Sequence, residues 1–355
     1  MQFFSLMHWR WEILLAIIRR MAKLLQPPSV WRAQPTAPLP IVVTSCTTRK
    51  RATTPPVVPA GGTRSESLSV FAKRWLSRLE KASRTTTAGE LYVGRSIAEV
   101  KRVTHTLKTE FYVVSAGLGL VHESAPVPNY DLTVASGQGL LADALQNSRE
   151  SAAHWWRLLA EHSGHRTPVA DMVDKTNPRI VLLALPSNYL GLVSDDLTAI
   201  ATEAQQRLRI FTSEAGLRKI PQELAHCVLP YDERLESVSG FDGTRADFPQ
   251  RALRHFVLKL RGHTLTLADA RSAVHQALGG LQPRTVPVRA KRTDDQIIDL
   301  IRRHWTTYSG NSARLLRVLR DQEFVACEQS RFRDLWRLVK KEQIRAKTED
   351  QSVSA

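Results

Sequence analysis

Cysteine is scarce in this chain: there are three in 355 residues, Cys46, Cys227 and Cys327. Thiols so widely spaced make neither a disulfide framework nor a zinc site, and they suit a reducing, cytoplasmic setting. Long apolar runs are scarce as well. The longest near the amino terminus, Ile13 to Ile18, has six residues and stops at Arg19-Arg20. That is too short for a membrane span or a signal-peptide core, and no A-x-A site follows, so no membrane partner is expected. An interfacial amphipathic helix is the remaining membrane option there. Met21 is a plausible start, and residues 1–38 are read as a poorly structured extension without an assigned function. No internal repeat is present, nor a heptad pattern for dimerisation, so a monomer is expected. His255 and His263 have no metal-ligand partner in pattern, and neither a metal nor a cofactor is expected.

Charge, by contrast, is abundant and one-sided. Fifty Lys and Arg against 34 Asp and Glu give +16. Residues 1–110 hold 18 basic and 6 acidic groups, residues 111–279 hold 16 and 18, and residues 280–355 hold 16 and 10. Positive charge gathered at the two ends favours a polyanionic partner, usually nucleic acid, with an anionic membrane surface as the competitor.

The pattern between the ends is α/β. Five apolar runs read as strands: Ile41–Cys46, Glu110–Ser115, Ile180–Leu185, Leu208–Thr212 and Leu224–Leu229. Helical spacing falls between them, at 65–81, 96–107, 152–161 and 194–207, which predicts a parallel sheet covered on both faces. Ala116 to Val121 reads as a glycine-punctuated turn, with Gly117 letting the backbone approach a ligand or another chain. All these strands except the fourth run into a loop rich in hydroxyl, amide or charged groups, where ligands bind in open parallel sheets. The domains expected are an α/β domain at 39–240, a helical extension at 241–280, a Gly/Pro/basic linker at 281–292, a basic helical domain at 293–345 and a tail at 346–355. The three helices of the basic domain resemble a helix-turn-helix module. Arg331, Arg333, Arg337 and Lys340 on its third helix suit phosphates or major-groove edges, or else simply a solvated face.

Four segments carry a resemblance: PIVVTSCTTRKR, ELYVGRS, EFYVVSAGLGLV followed by NYDLTV, and GTRADFPQRALRHF. Together they resemble a bacterial family with a uracil-DNA-glycosylase-like α/β fold, related to a domain of archaeal tRNA-guanine transglycosylases. One branch looks like anti-phage DNA glycosylases that excise glucosylated hydroxymethylcytosine. The likeness spans about residues 39 to 260 and the SRFRDLWRLVKKE tail. It implies a three-layer fold with four or five parallel strands, and modified double-stranded phage DNA as partner. The chain departs from ordinary uracil-DNA glycosylases in two places. Its first strand ends in Ser45-Cys46-Thr47 instead of a Gly-Gln-Asp-Pro segment, and no His-Pro-Ser-Pro-like segment follows the fourth strand. The uracil mechanism therefore does not carry over residue by residue.

A glycosylase builds positive charge on the sugar and negative charge on the departing base. Asp131, with Asp232 second, is the candidate carboxylate. Ser45, Cys46, Thr47, Ser115, Gly117, Ser187 and Asn188 are candidates to line the base pocket, and Tyr130 to stack on the base. Lys50, Arg51 and Arg234 are candidates to hold phosphate. Each has a plainer alternative. Asp131 suits an Asx-turn, Asn188 a loop, Cys46 a small buried apolar side chain, Tyr92 and Tyr130 packing, and Asp232 with Arg234 a surface pair. Two other functions fit the same features: base exchange on RNA or nucleosides, and a non-enzymatic DNA-binding regulator.

Overall fold

Ile41 to Ser45 form the strand around which the domain is built, because its β-branched side chains are buried on both faces. A computed structural model describes residues 38–52, 54–57, 66–134, 139–283 and 288–353. Residues 1–37 of the expected extension and residues 284–287 of the expected linker lie outside the described residues.

After β1 (Ile41–Ser45) come α1 (Leu68–Glu80), β2 (Thr86–Thr87), α2 (Ala88–Leu91), α3 (Arg95–Leu107), β3 (Phe111–Ser115), β4 (Gly119–His122) and β5 (Pro126–Val127). Then follow α4 (Leu140–Ser148), α5 (Ala152–His162), α6 (Pro168–Thr176), β6 (Val181–Ala184), α7 (Ser187–Thr198), α8 (Thr202–Gln205), β7 (Leu208–Phe211), α9 (Glu214–Leu217), α10 (Phe248–Leu258) and α11 (Leu267–Leu278). The main sheet has the order β4-β3-β1-β6-β7. Its β3, β1, β6 and β7 are parallel, and β4 is antiparallel to β3. On one side α10 packs along α3 and against β6 and β7, while α3 lies against β1. A second group, α1, α4, α5, α6 and α7, packs within itself, with α5 against β4.

Four expectations differ from the structure. The helix expected at 194–207 is instead α7, which starts at Ser187 right after the Pro186 that follows β6 and ends at Thr198, with the short α8 apart from it. Ala116 to Val121 is not only a turn: Gly119 takes φ +78°, the chain reverses, and β4 pairs back so that Ser115 faces Gly119. Leu224 to Leu229 is not a strand but a 3₁₀ turn over Gln222–Cys227, flanked by Pro221 and Pro230. Its remnant is one parallel bridge from Val228 to Ile210. Residues 241–280 are not an appendage either. Gln250 of α10 donates from Nε2 to Thr44 Oγ1 at 3.0 Å and to the Ala184 carbonyl at 3.1 Å, inside the sheet core.

His255, also on α10, lies 4% exposed against Tyr231 and Phe241, with Nδ1 2.9 Å from the Tyr231 hydroxyl. Burial, with the charges of Lys259 and Arg254, pushes its pKa down from 6.5 to about 4. The unfolded chain therefore binds this proton first, so the stability at stake is whole above about pH 6.5 and is lost as pH falls toward 4. Urea midpoints are expected to drop between about pH 7 and pH 4.5, and to drop less in His255→Gln. Equal drops in both proteins would clear His255 of this role.

A separate unit covers 284–355. It contains β8 (Ala290–Lys291), α12 (Asp294–Trp305), α13 (Ser312–Asp321), β9 (Val325–Ala326) and α14 (Gln329–Val353) around a core that includes Ile297, Ile301, Leu315, Phe332 and Val339. The last helix continues through most of the expected tail.

Candidate functional site

Strand order and direction define where a ligand crevice can form. From β1 the chain leaves toward β3, and from its neighbour β6 it leaves toward β7, on the opposite side. Adjacent parallel strands whose connections diverge open a crevice beyond their carboxyl ends. Two groups meet there: Cys46, just past β1, places Sγ 3.0 Å from the hydroxyl of Tyr189 in the first turn of α7. Ser45 and Cys46 are 5% and 6% exposed, so both are buried at the carboxyl end of the strand.

Beside them lies a cluster of buried phenols. The Tyr130 hydroxyl lies 2.7 Å from Ser115 Oγ and 2.9 Å from the Tyr92 hydroxyl. Ser115 Oγ also accepts from the backbone N–H groups of Gly117 and Leu118. Burial raises the pKa of Tyr92, Tyr130 and Tyr189 above the usual phenol range. Two expectations are corrected here. Tyr130 is 1% exposed, with its ring edge-on to Trp75 and Tyr92, and has no face free to stack on a base. Ser115 and Gly117 are interior: a side chain at Gly117 would meet the Tyr130 ring at 2.7 Å, and the Gly117 carbonyl accepts from Trp75 Nε1 at 2.8 Å. The glycine serves close packing and not ligand approach.

The loop after β1 is tied down residue by residue. Thr47 Oγ1 donates to the Arg49 carbonyl at 2.7 Å, which occupies it locally. Lys50 bridges antiparallel to Tyr92, Arg51 N–H donates to the Leu91 carbonyl, and Asp131 N–H donates to the Val57 carbonyl at 2.8 Å. This brings Lys50 beside Tyr130 and Asp131. Its ammonium stands 4.3 Å from the Tyr130 ring centroid, half-buried, and its pKa is lowered by burial against the pull of the nearby Asp131 carboxylate. Asp131 itself is exposed. Arg49 and Arg51, to either side of Lys50, are exposed too.

Two residues past Asp131 a cleft of about 490 Å³ opens, lined by Thr133, Ser151, Ser187, Asn188, Ser194 and Lys219 over Leu141 and Leu145. Its size falls in the usual small-molecule range of about 300–1,000 Å³. Ser187 and Asn188 are the first residues of α7, whose capping position holds Pro186 and so has no side-chain cap. The free N–H groups and positive dipole end of that helix, with Lys219 nearby, favour an anionic group. Lys219 was not foreseen: it follows β7 by eight residues, and no spacing rule links it to Ser187.

Asp232 and Arg234 stand elsewhere. Arg234 grips both carboxylate oxygens of Asp232 at 2.7–3.0 Å and donates to the Leu278 carbonyl. Those hydrogen bonds hold the Asp232 pKa below the usual carboxylate range. The pair lines a different cleft, of about 570 Å³, after β7. The plainer alternative, a local ion pair, describes both residues.

In the carboxy-terminal unit the cations of α14 are largely engaged. Arg331 is bonded to Asp294 and the Arg292 carbonyl, Arg333 and Arg337 lie 3.7 and 3.5 Å from Asp334, and Lys340 sits over the Trp336 ring. A basic concavity lies between β8 and the start of α14, lined by Arg289, Lys291, Arg292, Arg320, Glu328 and Arg331, of which Arg289 is paired with Asp321, Arg331 with Asp294, and Arg320 donates to the Cys327 carbonyl. Its first three cations belong to the stretch expected to be a linker.

Among the described residues no three His, Cys, Asp or Glu side chains gather into a metal-binding group, and no helix is long and apolar enough to cross a membrane. Compared with protein-family models, curated proteins and solved structures, the chain matches none.

Proposed function

We propose that this protein is a DNA glycosylase that cleaves the N-glycosidic bond of a modified base. The observation that carries the reading is the cleft at the start of α7, beyond the carboxyl end of β6. It offers the uncapped first turn of α7, Ser187, Asn188 and Lys219 to a leaving base that departs with negative charge. The exposed carboxylate of Asp131 is available for the positive charge that develops on the sugar. Such an enzyme must draw its base out of the stack, at a cost of a few kcal/mol, and phosphate contacts supply the binding energy. The exposed Arg49 and Arg51 and the basic concavity of the separate helical unit suit that task. The uracil-DNA-glycosylase-like fold and the excision of glucosylated hydroxymethylcytosine from phage DNA are part of this proposal. Both rest on the resemblance of residues 39–260, together with the parallel order β3-β1-β6-β7.

The test mixes the full chain with hydroxymethylated, glucosylated and unmodified duplexes, then applies alkali. Strand breaks and free base are expected from modified DNA alone. Binding that weakens with salt, without breaks in any duplex, would sink the glycosylase reading and leave a DNA-binding regulator.

A further inference from the structure

The cleft of about 570 Å³ after β7 takes no part in the base release proposed above, yet it has the make-up of a binding site. It opens beyond the carboxyl end of a parallel strand, where open α/β sheets bind their ligands. It is distinct from the α7 cleft: Arg218 lines this one and the next residue, Lys219, lines the other. Part of its lining is apolar, formed by Val228, Leu229, Pro230 and Phe248, with Leu217 left 44% exposed.

Most of the charges in that lining are already paired. Arg218 is bonded to Glu214 and Arg234 to Asp232, while Glu236 accepts from the buried Arg251 and from the Gly243 N–H. Two guanidinium groups and one carboxylate are left over, those of Arg245, Arg271 and Glu233. Arg271 donates from Nη1 alone, to the His226 carbonyl at 3.1 Å and to the Val228 carbonyl. Those bonds fix the group, while its Nε and Nη2 have no partner among the described residues. A guanidinium held by one nitrogen still presents a fork of N–H donors, the geometry that grips a phosphate in two places. Arg245, on the turn before α10, is exposed and has neither a hydrogen bond nor an ion pair among the described residues.

We propose that this cleft binds a nucleoside monophosphate, with Arg271 and Arg245 on the phosphate and the apolar lining against the base and sugar. Charge selects the anion. A phosphate monoester carries about −1.5 to −2 near pH 7, which two unpaired guanidinium groups match. A second phosphate would bring more negative charge beside Asp232 and Glu233. The apolar lining and the volume select the body. A bare phosphate would leave both largely unused, whereas sites of about 300–1,000 Å³ enclose an organic ligand against apolar side chains with a few polar groups to orient it. The exposed Glu233 carboxylate is free to accept from a sugar hydroxyl. The site is independent of glycosidic chemistry and holds whether or not a base is released.

Calorimetric titration of the full chain with each common ribo- and deoxyribonucleoside 5′-monophosphate tests this, with inorganic phosphate and the matching nucleosides alongside. At least one nucleotide should bind saturably, with a Kd below about 1 mM and about tenfold tighter than its nucleoside or inorganic phosphate. Arg245→Ala and Arg271→Gln should each weaken that binding about tenfold, as the loss of a charge-assisted hydrogen bond does. Arg78→Ala, which removes the same charge from α1, should leave it unchanged. Thermal melts report whether each variant is folded, and Arg245, exposed and unpaired, can be removed without stranding a partner. No saturable binding of any nucleotide overturns the proposal. So does binding that is unchanged in both arginine variants, or inorganic phosphate that binds as tightly as every nucleotide. Displacement of the bound nucleotide by an unmodified duplex identifies the ligand as a nucleotide of bound DNA, and its retention identifies a free nucleotide; both keep the site. Release of a base from modified DNA, or its failure, bears on the glycosylase reading alone.

Discussion

Arg251→Met is expected to lower the stability of the sheet domain by about 3–5 kcal/mol, the usual cost of leaving a buried charge unpaired. The Arg251 side chain has no solvent exposure. It donates from Nε to Asp247 Oδ1 at 2.7 Å, and from its terminal nitrogens to Glu236 Oε1 at 2.7 Å, the Thr244 carbonyl at 2.8 Å and the Phe241 carbonyl. Asp247 is itself 5% exposed and accepts from the Thr244 N–H. Methionine fills the space but leaves this carboxylate with the more exposed Arg95, 3.6 Å away, as its remaining charge partner, and leaves two carbonyls short of donors. The urea midpoint should fall with an unchanged slope. Adding Asp247→Asn to Arg251→Met should recover part of the loss, because the stranded charge is then gone. Arg218→Met, whose exposed partner is Glu214, should cost no more than about 0.5 kcal/mol. A loss below about 1 kcal/mol in Arg251→Met would mean the network contributes little beyond packing. Gly243 belongs to the same design, since a side chain there would run into the Arg251 guanidinium.

That network shows how unevenly the structure can be read from sequence. The four parallel strands are legible because each is a short apolar run with a polar exit, and a strand buried on both faces needs nothing more. Strand β4 is hidden, because its pairing depends on Gly119 reaching positive φ, a backbone event without a periodicity. GTRADFPQRALRHF is conspicuous as a string, yet its work is tertiary. Thr44 and Gln250 bond across 206 positions, and Arg251 gathers carbonyls from a loop whose course no spacing predicts. The candidate site divides in the same way. Ser187 and Asn188 are found because they follow a strand end, and structure adds that they begin a helix. The setting of Lys50 over Tyr130 joins residues 80 apart, so sequence yields the cation and not its burial. Asp131 and Asp232 are both acids in loops after expected strands, and sequence ranks Asp131 first and offers the Arg234 pair only as an alternative for Asp232. The structure decides between the readings: Asp131 is exposed and Asp232 is gripped by Arg234.

The difference between those two acids gives the second large expected effect. Asp131→Asn should slow base release by about 10²–10⁴-fold, the usual loss when a positioned acid–base group is removed. Stability and DNA binding should change little. The carboxylate is exposed, so no buried partner is stranded, and the hydrogen bond that fixes this segment, Asp131 N–H to the Val57 carbonyl, belongs to the backbone. Asp232→Asn should lose the ion pair with Arg234, weaken that local turn, and leave base release within a few-fold of the parent, because its oxygens are already committed. Single-turnover release from modified duplex, with protein in excess over DNA, compares the chemical step directly. A loss of less than about tenfold for Asp131→Asn would assign it under about 1.4 kcal/mol of transition-state stabilisation, too little for the principal carboxylate. If Asp232→Asn alone abolished release, the chemistry would move to the 570 Å³ cleft after β7, with Arg234 freed from its partner to meet the phosphate.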